Sequence, residues 1–112
     1  MESIKRGDLV TVALPGDYGK PRPALVVQDD AFAALNSITV VPITSDLHDS
    51  PLMRIPLQPT LENGLHRPSQ AMIDKVTTAP RIKLGQTIGK ADADTMKAID
   101  EALSRFLGLV AD

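Results

Sequence analysis

Valine and leucine dominate residues 9–14 and 24–28. Between them lies Pro15-Gly16-Asp17-Tyr18-Gly19-Lys20-Pro21, whose glycines and prolines do not continue a strand. The pattern predicts a strand, a loop and a second strand. Residues 38–43 are a β-branched run bounded by Asn36-Ser37 and Ser45-Asp46, which predicts a buried third strand with Thr44 at its exit. Residues 52–57 alternate well enough for a fourth, restricted to an edge or a bulge by Pro56. Asn63-Gly64 signals a turn, and after it residues 69–78 alternate, with Ala71, Ile73 and Val76 inward against Asp74 and Lys75 near the surface. One more short strand covers residues 82–88, weakened by Gly85 and Gly89.

The period then changes. From about Asp92 to Leu107, the residues Met96, Ile99, Leu103, Phe106 and Leu107 recur at steps of three and four, the stripe of an amphipathic helix. Asp92 or Asp94 caps its start, where a carboxylate meets the positive end of the helix dipole, and Gly108 ends it. Five or six short strands followed by one helix predict a mainly β fold: a small, strongly bent antiparallel barrel with the helix packed across it. A chain of 112 residues, 43% of them hydrophobic, fits a single domain spanning residues 1–112 with its own core.

Composition narrows the function. No apolar stretch approaches the roughly 20 residues that a membrane-spanning helix needs, and Met1-Glu2-Ser3-Ile4-Lys5-Arg6 has no apolar segment behind its charges, so a cytoplasmic location is expected, without a membrane partner. With no cysteine, disulfides, thiolate nucleophiles and cysteine-held zinc are excluded. Two histidines, His48 and His66, give little basis for a protein-bound transition metal, and no Walker, GxGxxG, GxSxG or HExxH motif is present, so no cofactor is expected. The net charge of -2 argues against bulk attraction to nucleic acid. The charge is unevenly spread, however: five of the 14 acids and only two of the 12 bases lie from Asp92 onward. The rest of the chain is slightly basic, which leaves room for a local groove around Lys20, Arg22, Arg67, Lys75, Arg81 and Lys83.

Gly19-Lys20-Pro21-Arg22-Pro23 is the most distinctive stretch. Proline fixes φ and biases its predecessor toward extended geometry, so Arg22 between two prolines gives up little more backbone entropy when held in one orientation. A guanidinium presented this way suits bidentate capture of a phosphate, although an exposed arginine at a strand start is the plainer alternative. Thr44, just beyond a buried strand, could donate its hydroxyl to a phosphate oxygen or simply bond its own turn. Asp74 beside Lys75 could keep a low pKa and act as a base, or be ordinary surface. His48 and His66 sit in polar, turn-like contexts and read as solvated loop residues.

Taken in order, these pieces resemble the MazF/PemK (Kid) family of toxins. The resemblance rests on Arg6-Gly7-Asp8-Leu9-Val10, on Gly19-Lys20-Pro21-Arg22-Pro23 with the strand behind it, and on Val40-Val41-Pro42-Ile43-Thr44-Ser45. It continues through Gly64-Leu65 to Ser69, Asp74-Lys75-Val76-Thr77-Thr78, and the helix ending Leu103-Ser104-Arg105-Phe106-Leu107-Gly108-Leu109. It implies an SH3-like barrel, a homodimer, and metal-independent cleavage of single-stranded RNA, in which the ribose 2'-hydroxyl attacks the adjacent phosphate to leave a 2',3'-cyclic phosphate and a 5'-hydroxyl. Arg22 would then stabilise the phosphate and leaving group, Thr44 would hold a non-bridging oxygen, and Asp74 would match the base. Asp17, Lys20, Ser69 and Lys75 match substrate-side positions. An arginine two positions before the aspartate in one branch is Met72 here, and Lys75 replaces a glutamine. The resemblance also implies a cognate antitoxin whose acidic tail competes for the groove. A gyrase poison of the CcdB type shares the barrel but relies on a tryptophan near its C-terminus, and this chain has none. A barrel that only binds RNA or proteins would leave Arg22 and Thr44 without a role.

Overall fold

The computed structural model describes residues 3–16 and 19–110. Its elements are β1 (Asp8–Ala13), β2 (Pro21–Val26), β3 (Ser37–Thr44), β4 (Arg54–Leu57), β5 (Ser69–Met72), β6 (Thr77–Pro80), β7 (Leu84–Lys90) and α1 (Ala93–Phe106), with short 3-10 turns at Asp30–Phe32, Ile73–Lys75 and Arg81–Lys83. All strand pairs are antiparallel, in the order β4-β5-β3-β2-β1-β7, with β6 beside β5 on the same edge of β3. No helix among the described residues is long and apolar enough to cross a membrane.

Alternation builds a core on each face of the sheet. Leu9, Leu25, Val41 and Ile43 bury on one side together with Ile73 and the helix residue Ile99. Their neighbours Val10, Val12, Ala24, Val26, Ile38 and Val40 bury on the other, with Ala79. Each fully buried aliphatic side chain contributes about 1.5–3 kcal/mol. Met96 and Leu103 of α1 pack on the first core with Ile99, as the helical stripe predicts, and Ala102 joins them, whereas Phe106 and Leu107 at the end of the predicted stripe are exposed. Arg6 pairs with Asp100 of α1 and its N–H donates to Asp30 at 2.8 Å, tying the N-terminal segment to the helix.

The expected barrel is not closed by strand pairing: β4 and β7 are not joined to each other in the ladder. A loop bridges them instead. Buried Asn63 accepts from Thr60 N–H at 3.0 Å and Leu65 N–H at 2.9 Å and donates to the Gln58 carbonyl at 2.8 Å, which folds the segment after β4 into a compact unit. That unit lies on β7, where Lys90 N–H donates to the Glu62 carbonyl at 2.7 Å. Gly85 and Gly89, expected to weaken the last strand, lie within it, and the strand runs two residues later than 82–88. Gly89 has a steric reason: a Cβ there would sit 2.3 Å from the Asn63 carbonyl carbon.

The predicted strand over 69–78 is interrupted. Val40 pairs with Thr77 and Ile43 with Ala71, so three steps along β3 oppose six residues of the partner, and the surplus is the Ile73–Lys75 turn. Pro42 sits opposite it and has no N–H to offer the ladder. Ala71 and Ile73 are buried as expected, while Asp74 and Lys75 are extruded.

Helix α1 begins and ends where its capping residues dictate. Asp92 accepts from Thr95 N–H at 2.7 Å. At the other end, Leu109 N–H reaches the Ser104 carbonyl and Gly108 N–H the Arg105 carbonyl, with Gly108 at φ 73°, a Schellman closure. The Thr95 backbone bond holds the Asp92 carboxyl below its ordinary value of 3.8. A depressed folded-state pKa contributes stability above the unfolded pKa and loses it as pH falls through the folded one. Asp92→Ala is therefore expected to lower the thermal midpoint at neutral pH, and the gap from wild type to close on acidification below 3.8. Melting curves of both proteins across that range check this, and a gap independent of pH would contradict it.

Candidate functional site

Prolines open the sheet where the candidate residues sit. Val27 N–H donates to the Thr39 carbonyl of β3, so the odd-numbered residues of β2 face that neighbour, and Pro21 and Pro23 are the ones with no hydrogen to donate. The β2–β3 ladder accordingly stops at Ala24↔Pro42. Continued by two residues, the same register sets Arg22 opposite Thr44, on one face of the sheet. The Pro-Arg-Pro motif is thus the start of β2 itself, paired with β1 through Val12↔Arg22, rather than part of the loop.

Arg22 and Thr44 line a cleft of about 350 Å³ with Ser69, whose walls also include Thr11, Ser45, Leu65, His66 and Arg67. Arg22 and Arg67 are its two charged residues, and no carboxylate is among the described residues that line it. Neither guanidinium has a hydrogen-bonding partner among the described residues. Thr44 Oγ1 accepts Asp46 N–H at 3.0 Å, which occupies a lone pair and leaves the O–H able to donate. Ser69 Oγ donates to the Arg67 carbonyl at 2.8 Å and so braces the segment that carries that arginine.

The other candidates are spread more widely. Lys75 lines a neighbouring concavity of about 420 Å³ with Met72, Pro42 and Leu14. Pro42 is two residues from Thr44 along β3, so the two hollows share a face of the sheet. Asp74 is exposed on the turn beside Lys75, and Lys20 is exposed just before β2. Asp17 lies outside the described residues. Arg81, grouped by charge with the basic residues, instead donates to the Ala33 and Leu35 carbonyls and fastens the turn before β3. His66, read as a solvated loop residue, is exposed but forms part of the cleft wall. His48 lies on the turn after Thr44, its Nε2 3.2 Å from Asp46 Oδ2.

A cleft that, among the described residues, holds two unpaired guanidiniums, several hydroxyls and no acid suits a phosphodiester. Comparison with known proteins gives the family. Residues 5–107 match the family described as PemK-like, MazF-like toxin of type II toxin-antitoxin system. The chain is 49% identical over 107 residues to the "Probable endoribonuclease MazF" of Mycolicibacterium smegmatis, covering 95% of this chain and 98% of that one. Among solved structures it superposes on the Mycobacterium tuberculosis toxin MazF-mt6 with a TM-score of 0.79 at 27% identity, over 93% of this chain and 99% of the other. An endoribonuclease in complex with its cognate antitoxin, from Mycobacterial species, shares the fold with a TM-score of 0.78 at 23% identity, over 100% of both chains.

Proposed function

The chain belongs to the PemK-like, MazF-like family of toxins of type II toxin-antitoxin systems, and from that premise we propose that it is an endoribonuclease cutting single-stranded RNA in the Arg22–Thr44 cleft. The observation that carries this reading is the pairing of an unpartnered guanidinium with a donor hydroxyl across a gap that two prolines keep open.

In the proposed reaction the ribose 2'-oxygen forms a bond to phosphorus while the bond from phosphorus to the 5'-oxygen breaks, giving a 2',3'-cyclic phosphate and a 5'-hydroxyl. Charge grows on the non-bridging oxygens as the fifth bond forms. Arg22 stabilises that charge, and Thr44 O–H donates to one of those oxygens. An arginine is too basic to exchange protons readily near neutrality, so its part is electrostatic. The 2'-hydroxyl proton goes to Asp74, whose turn stands beside the cleft along β3, and the departing 5'-oxygen takes a proton from solvent. Lys75, Lys20, Asp17 and Ser69 line the path of the flanking nucleotides in this reading.

The protein acts as a homodimer in the cytoplasm, and a cognate antitoxin with an acidic segment silences it by occupying the basic cleft. The solved relative in complex with its antitoxin supports such a partner, and the acid-free lining supports the sign of its charge.

The role of Thr44 is open to a direct test on a short single-stranded RNA. Thr44→Val, close in shape but without the hydroxyl, is expected to lower kcat about 10- to 100-fold, while Thr44→Ser retains most of the rate. Undiminished turnover by Thr44→Val would remove the hydroxyl from the mechanism.

A further inference from the structure

The turn after Thr44 is held by side chains. Among the described residues, no backbone group of residues 46–49 joins a backbone–backbone hydrogen bond, and such bonds resume only at Ser50, whose carbonyl accepts from Met53 and Arg54. Gln70, which stands opposite Thr44 in the β3–β5 ladder, grips His48 at both ends of its peptide plane system: Gln70 Oε1 accepts His48 N–H at 3.0 Å and Gln70 Nε2 donates to the His48 carbonyl at 2.9 Å. Arg54 Nη1 donates both to Gln70 Oε1 at 3.0 Å and to the Asp46 carbonyl at 3.1 Å. Two further contacts hold the turn: Asp46 N–H donates to Thr44 Oγ1 at 3.0 Å, and His48 Nε2 lies 3.2 Å from Asp46 Oδ2.

We propose that Gln70 and Arg54 are positioning residues for RNA cleavage: by clamping the 46–48 turn they fix the Asp46 N–H on the Thr44 hydroxyl, which leaves its O–H free to donate into the cleft. The inference rests on the reading of Thr44 as a phosphate donor. The physical logic is that a lone hydroxyl rotates, and a donor must be aimed before charge develops if it is to cost nothing to reorganise at that moment. A fixed N–H on one lone pair restricts the side-chain rotamer and confines the O–H to the remaining directions. Without the clamp the turn has no backbone ladder to keep the Asp46 N–H in place.

The test compares wild type, Thr44→Ala, Gln70→Leu and the double variant for kcat and KM on single-stranded RNA, with amide hydrogen exchange at Asp46 and His48 read in parallel. Gln70→Leu is expected to lower kcat about tenfold while KM stays within about a factor of two, since a small misplacement of a donor acts on the transition state. In the Thr44→Ala background the same change costs no further rate, because the clamp then has no hydroxyl to aim. Both amides exchange faster in Gln70→Leu than in wild type. Gln70→Asn, which stays polar but is one methylene too short, reproduces the pattern if Gln70→Leu disturbs the fold. Losses that multiply in the double variant, or amides unaffected by either Gln70 change, would overturn the clamp. Full activity of Thr44→Ala would instead sink the parent reading of Thr44.

Discussion

Arg22→Ala is expected to reduce RNA cleavage by about 10²- to 10³-fold, the usual cost of removing one donor to a developing oxyanion. Folding stability should stay within about 0.5 kcal/mol of wild type. The two expectations follow from the same facts. The guanidinium has no partner among the described residues, so its loss leaves nothing unsatisfied, and the side chain is exposed rather than part of either core. Its backbone is held independently, by pairing with Val12 and by Pro21 and Pro23 on either side. Arg22→Lys should recover only part of the rate, because an ammonium keeps the charge but not the planar fork. Cleavage assays beside urea unfolding curves check both halves. A stable variant with near-normal activity would make Arg22 surface, and an unfolded one would make it structural.

Gly64→Ala should be the most damaging of these changes to stability, costing about 3 kcal/mol or more. Gly64 has φ 71°, where an alanine is already strained by about 1–2 kcal/mol. Its added Cβ would also lie 2.0 Å from the Ile88 carbonyl oxygen, a backbone atom of β7 that cannot swing aside. The loop would have to lift from β7, breaking the bond between Lys90 N–H and the Glu62 carbonyl. Gly64 and Leu65 also wall the cleft, so activity should fall with stability. Urea unfolding measures the loss, and a shift below about 1 kcal/mol would mean that the loop does not seal the sheet as described.

Both residues belong to parts of the fold that the sequence exposes unequally. Strands β1 to β3 and helix α1 were legible because the strands are buried on both faces and so read as short apolar runs, with Leu9-Val10 and Val40-Val41 all fully buried, while Met96, Ile99 and Leu103 recur near a period of 3.6. The break in 69–78 was not, since its cause, Pro42, sits on another strand and acts only once the two are paired. The glycines of β7 misled for a similar reason: their value lies in letting the Asn63 loop approach, which no local pattern reveals. At the site, Arg22, Thr44 and Ser69 line one cleft, because the β2–β3 register, continued two residues past the end of the ladder, aligns Arg22 with Thr44. Gln70 and Arg54 left no trace in the sequence, as a half-buried glutamine and arginine signal nothing until the turn they hold is seen.

The most direct measurement is the chemistry of the fragment ends after wild-type protein meets a long mixed-sequence RNA in EDTA. The account predicts discrete fragments carrying 2',3'-cyclic phosphates and 5'-hydroxyls, absent when Arg22→Ala replaces wild type. Fragments with 3'-hydroxyl and 5'-phosphate ends, or cleavage that appears only when a divalent metal is restored, would contradict it.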